Sequence, residues 1–200
     1  MANNYSQATV TPDIPANLVT EFEKILLSEY GFQYEDSTKN NDLYFFASDN
    51  VSDDACGFEL VQINDHAAKG DEIARDMLIK LGQADISAET DDVISRFYGW
   101  PDIFQHILNK PGCEIVEIII EGANTCSKMR QGEFGGWVSR ITKTSIQHRN
   151  TADLLGQMRD ELAFLEAVDI VCDSSPENPN RAIAVGIIKE YCANYEGCQG

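Results

Sequence analysis

The chain has 200 residues, of which 43% are hydrophobic, enough to bury a substantial core in a single globular domain spanning 1–200. Fifteen Lys and Arg against 33 Asp and Glu give a formal net charge of −18, which argues against direct binding to nucleic acid or to an anionic membrane. The opening MANNYSQATV carries no basic start or apolar segment, and no run reaches the ~18 apolar residues of a membrane span, so a cytoplasmic location is expected.

The first element is a short extended run, YSQATVT (5–11). Asp13 as cap, Pro15 in a first turn and Leu18, Phe22, Ile25 and Leu26 at helical spacing predict a helix over about 15–30, stopped by Gly31. LYFFA (43–47) has strand composition and FELVQI (58–63) reads as its hairpin partner. Residues 70–82 form an amphipathic helix with Asp71 and Glu72 in its first turn. Ser87 or Thr90 caps a second helix through Val93, Ile94 and Phe97, which Pro101 breaks ahead of Ile103, Phe104, Ile107 and Leu108. Gly112 releases the chain into the strand CEIVEIII (113–120), with Val116, Ile118 and Ile120 on one face. Beyond WVSRIT, again of strand composition, Thr151 caps a helix bearing Leu154, Leu155, Met158, Leu162 and Leu165. VDIVC (168–172) reads as a strand and 181–193 as a last helix. The expected fold is α+β, a mostly antiparallel sheet of about five strands with four to six helices.

The acidity is uneven. Residues 1–112 form an acidic α/β part of net −13, residues 113–149 carry +1 and residues 150–200 carry −6, so that 113–200 reads as a hairpin followed by helices; 35–92 alone carry −11. Such a surface attracts basic partners and also keeps a protein soluble.

Motifs for chemistry are sparse. Six cysteines at 56, 113, 126, 172, 192 and 198 include no CxxC pair and no zinc spacing, so reduced thiols are expected, with Cys192 and Cys198 close enough in sequence to pair on oxidation. His66, His106 and His148 form no HExxH pattern, and the acidic loop DNVSDDACGFE lacks the oxygen ligands and glycine of an EF-hand. GANTCSKMRQGEFGGWVSRIT (122–142) is rich in glycine but fits neither a Walker nor a Rossmann loop, because a strand and not a helix follows it. It reads as a long loop joining two strands. No cofactor and no metal are expected.

Two functions are weighed. In the first, the chain is an acidic, non-enzymatic protein that occupies the basic, nucleic-acid-binding surface of a partner protein or complex, as nucleic-acid mimics carried by phages or plasmids do against restriction or CRISPR systems. Duplex DNA carries one charge per about 1.7 Å, so carboxylates on a rigid face can compete for the same groove. The candidate contacts are Asp49, Asp53, Asp54, Asp71, Glu72, Asp76, Asp91 and Asp92, with Trp100 and Trp137 as aromatic anchors. Each carboxylate taken alone also has the plain reading of a solvated surface group. In the second, a small cytosolic enzyme uses Cys126 as nucleophile and His148 or His106 as base. Lys128 and Arg130 then hold an anionic substrate, with Glu133 in the same loop. A third reading makes this loop a homo-oligomer contact.

Overall fold

The computed structural model describes residues 4–37, 41–52, 60–83, 98–128, 134–173, 175 and 178–196. The chain divides into two compact units, 1–149 and 150–200.

In the first unit the elements are β1 (Asn4–Thr11), β2 (Ile14–Pro15), a 3₁₀ turn (Ala16–Leu18), α1 (Glu21–Glu29), β3 (Gln33–Asp36), β4 (Asp42–Ala47), α2 (Leu60–Ala68), α3 (Glu72–Gln83), α4 (Trp100–Asn109), β5 (Glu117–Cys126), β6 (Gly135–Thr142) and β7 (Ile146–Asn150). The seven strands form one antiparallel sheet in the order β2-β4-β1-β5-β6-β7, with β3 on the other edge of β4. The fold class is therefore α+β, as the alternation of patterns predicts, with three strands the sequence does not announce. β3 is polar and exposed throughout, β2 is two residues long, and β7 reads IQHRN.

Alternation along the strands sorts the two faces. Leu43, Phe45 and Ala47 of β4 are buried and Tyr44 and Phe46 are not; on β5, Ile118 and Ile120 are buried and Glu121 is exposed. The buried face is covered by helices through Phe22, Leu26, Ile63, Met77, Ile103 and Phe104. Phe104 locks α4 to the sheet, its ring edge-on to Phe32 at 5.5 Å and to Phe45 at 5.8 Å.

Several boundaries move from their sequence positions, each for a local reason. The helix expected from 15 starts at Glu21, because Thr20 and Glu23 close a capping box: Thr20 Oγ1 accepts from Glu23 N (3.2 Å) and Glu23 Oε2 from Thr20 N (2.7 Å). Asp13 instead accepts from Ser37 Oγ at 2.6 Å. Of FELVQI, the described residues Leu60–Ile63 are helical and not a strand, and Ile63 and Ala67, four residues apart, are buried together. The strand expected from 113 starts at Glu117, since Cys113 still donates to Lys110 O across a turn at Gly112 and Val116 is 78% exposed. Pro101 sits in the first turn of α4, where its missing N–H costs nothing. The helix expected around Val93 and Phe97 lies outside the described residues.

The second unit is a helical hairpin of α5 (Thr151–Asp173) and α6 (Arg181–Glu196). VDIVC continues α5 instead of forming a strand, because Val168 and Val171 extend the stripe of Phe164 and Ala167. Phe164 stacks on Tyr191 of α6 at 4.5 Å, and Ala167 and Ala184 are buried. The cap of α5 is Asn150, not Thr151: its Oδ1 accepts from Ala152 N and Asp153 N at 2.8 and 2.9 Å, and Asp153 accepts in return from Asn150 N. Arg181 donates to the Val171 carbonyl and so satisfies the C-terminal end of α5.

Candidate interaction surface

On the face of the sheet opposite the helices, Gln7, Thr9, Glu35, Glu121 and Val138 are exposed among the described residues. One row across this face runs Gln33, Phe46, Thr9, Glu121 and Val138, each opposite the next on neighbouring strands, and Glu35 lies opposite Tyr44 beside it. These strands frame a shallow groove of about 630 Å³ lined by Gln7, Thr9, Glu35, Tyr44, Phe46 and Glu121. Tyr44 and Phe46 stack at 5.4 Å with 20° between their planes. Glu35 and Glu121 are exposed, and neither has a cationic partner among the described residues. An ion pair does form on the next strands, where Arg140 Nε donates to Glu117 Oε2 at 2.7 Å.

The acidic candidates read from the sequence divide. Asp49 is exposed and its carbonyl accepts from Ser6 N at 2.9 Å. Asp71 caps α3, accepting from Ala74 N at 3.1 Å. Glu72 projects into solvent with its carboxylate 3.8 Å from His106 Nε2, and Asp76 pairs with Lys80 at 3.1 Å. Asp53, Asp54, Asp91 and Asp92 lie outside the described residues, as do Arg130 and Glu133. The cap gives Asp71 a structural role: Asp71→Ala should lower stability by about 1 kcal/mol, or ~2–4 °C in melting temperature, whereas Asp71→Asn, which still caps, should leave it unchanged by circular dichroism.

The tryptophans pack toward the core, Trp100 buried and Trp137 half-buried. Trp100 is buried in the core, with Trp137 5.8 Å away. Trp137 lies against Gly122, the residue opposite it on β5, and a Cβ there would fall 2.0 Å from the indole. Its Nε1 donates to Ser6 Oγ at 3.3 Å. Trp100 is thus closed to a partner, and Gly122 serves close packing, not a loop.

The glycine-rich stretch is shorter as a loop than its sequence suggests, because β5 runs to Cys126 and β6 begins at Gly135. Cys126 is half-buried and its Sγ accepts from Lys128 N at 3.5 Å; Lys128 is exposed. His148 sits elsewhere, on β7, sharing a 2.7 Å hydrogen bond with Ser139 Oγ. Ser139 is opposite Ile120, six residues or about 20 Å of strand along β5 from Cys126, so His148, bonded to Ser139, is out of hydrogen-bond reach of Cys126 and does not serve as its base in this arrangement. Ser139 is itself buried, which closes its hydroxyl to any substrate.

The second polar cluster joins α1 to α4. Glu23 is fully buried; His106 Nδ1 donates to its Oε1 at 2.8 Å, and Lys110 donates both to its Oε2 and to Leu18 O, the latter at 2.7 Å. Burial alone would raise the Glu23 pKa, but the hydrogen bonds from His106, Lys110 and Thr20 N, with the charge of Lys110, outweigh it and hold the carboxyl below its ordinary value. Among the described residues no hydroxyl or thiol is hydrogen-bonded to His106 Nε2, so the cluster orients an imidazole without a nucleophile to activate.

Among the described residues no group of three or more His, Cys, Asp and Glu is placed to hold a metal ion, and no helix is long and apolar enough to cross a membrane. Comparison with protein-family models, with curated proteins and with solved structures returns no match.

Sequence reasoning missed Glu35, Tyr44, Phe46 and Glu121 as a group. A signal was present in LYFFA, whose alternation must place two aromatics on the face away from Leu43 and Phe45.

Proposed function

We propose that the chain is an acidic, non-enzymatic binding protein that occupies a basic, nucleic-acid-handling surface of a partner, with the face of the sheet opposite the helices as its contact. The observation that carries this reading is the groove in which Glu35 and Glu121, without cationic partners among the described residues, flank the stacked rings of Tyr44 and Phe46. Carboxylates beside aromatic faces suit an Arg or Lys side chain, which gains an ion pair and a cation–π contact together. Strands hold these groups in fixed register, so the groove is pre-organised, and the net charge of −18 would steer a basic partner toward it. The competing thiol-enzyme reading loses His148 as its base, since that residue is out of hydrogen-bond reach of Cys126.

The test is capture of proteins from a bacterial lysate at low and high salt, with mass spectrometry of what is retained. A specific partner should be captured at low salt and released as salt rises. The double variant Glu35→Lys/Glu121→Lys should lose at least ~10-fold of that capture, while Cys126→Ala retains it. Capture that is indifferent to both salt and charge reversal, or that Cys126→Ala abolishes, would contradict the proposal.

A further inference from the structure

The helical hairpin presents an apolar seam that its own partner helix does not use. On α5, Leu155, Met158, Leu162 and Leu165 follow one another at intervals of three, four and three residues, the a/d spacing of packed helices, and each is 54–58% exposed. At 3.6 residues per turn these four fall within an arc of about 80°, roughly opposite the arc of Phe164, Ala167 and Val171. The latter arc is the one that meets α6, through the Phe164–Tyr191 stack and buried Ala167. A helix that is apolar on two opposed faces is ordinarily covered on both. Leu154, also more than half exposed, widens the seam at its N-terminal end.

We propose that this seam pairs with the same seam of a second copy of the chain, so that two hairpins assemble into a four-helix arrangement with the two α5 helices at its centre. The seam is self-complementary, because Leu and Met at a and d positions pack as knobs into the holes of an identical helix. From Leu154 to Leu165 the seam is about 17 Å long, and with its side chains more than half exposed a paired face buries several hundred Å² across both copies, the size of a weak, reversible interface. Charge supplies an independent mark. α5 carries six acids against Arg159 as its only base, so two copies repel through their flanks while the seam attracts. Salt should therefore tighten self-association, the opposite of its expected effect on partner capture.

The test is the mass of the full chain by sedimentation equilibrium and light scattering between about 0.05 M and about 0.5 M NaCl. The expected result is a species of twice the chain mass whose dissociation constant falls as salt rises. Met158→Glu/Leu162→Glu, which places two charges on the seam and leaves the α6-facing side alone, should weaken it by at least ~100-fold with helix content unchanged. Met158→Leu, which keeps the seam apolar, should preserve it and so separates loss of pairing from loss of folding. A single-chain mass for the unaltered protein at every salt, or a dimer that survives the double Glu variant, would overturn the proposal.

Discussion

Glu23→Ala is expected to lower the melting temperature by about 10 °C. Removing one member of a buried ion pair costs about 3–5 kcal/mol, because the partners are left desolvated and unpaired, and each kcal/mol corresponds to ~2–4 °C in a chain of this size. Three things fail together here: the acceptor for His106 Nδ1, the counter-charge of Lys110, and the half of the capping box that satisfies Thr20 N. Glu23→Gln, which keeps shape and an acceptor but no charge, should lose less. The same network gives a pH signature. The Glu23 carboxyl is held below its ordinary value of 4.5, so its contribution is complete above that pH and is lost progressively as pH falls below it. The stability difference between wild type and Glu23→Gln should be constant near neutrality and shrink in that acid window, measured by thermal melts across pH. A melting temperature within about 2 °C of wild type for Glu23→Ala would mean that the cluster does not hold α1 to α4.

Gly31→Ala should be comparably damaging, at about 4 kcal/mol or about 10 °C. Gly31 ends α1 with φ +91°, a conformation that costs an L side chain roughly 1–2 kcal/mol. It closes a Schellman arrangement in which Gly31 N donates to Ser28 O at 3.0 Å and Phe32 N to Leu27 O at 2.9 Å. A Cβ at this position would stand 2.0 Å from the backbone carbonyl oxygen of Asn50. That oxygen cannot retreat as a flexible side chain would: Val51 N, the next residue, is tied to Ser6 O and Ser52 N to Tyr30 O, each at 3.0 Å. Strain and collision therefore add. A change of less than about 1 kcal/mol in a urea titration would show that the 50–52 segment yields.

What the sequence made legible follows from where the deciding contacts lie. The β4 run and α3 were readable because each repeats its own period over enough residues to define a buried face. FELVQI was not, since its pattern suits a strand or a helix, and the choice was made by Ala67, beyond the run, packing with Ile63. VDIVC has strand composition, yet it inherits the helical register of Phe164 and Ala167, so packing against α6 overrides β propensity. The Glu23 cluster joins residues 83 and 87 positions apart in sequence, which no local pattern encodes. The groove is harder still: Glu35, Tyr44, Thr9 and Glu121 become neighbours only because β1 inserts between β4 and β5. The acidic composition suggests only the kind of partner proposed, while Glu35 and Glu121, the carboxylates proposed as contacts, are not among the acidic candidates of the sequence.

The most direct measurement of the binding proposal is a competition. A fluorescently labelled DNA duplex would be bound to the partner captured from lysate, and the acidic chain titrated in while fluorescence anisotropy is followed. Mutually exclusive binding is the predicted result: free duplex should be released in proportion to added protein, less so as salt rises, and at least ~10-fold less readily with Glu35→Lys/Glu121→Lys. A ternary complex in which the duplex stays bound while the chain joins the partner would contradict occupation of the nucleic-acid surface.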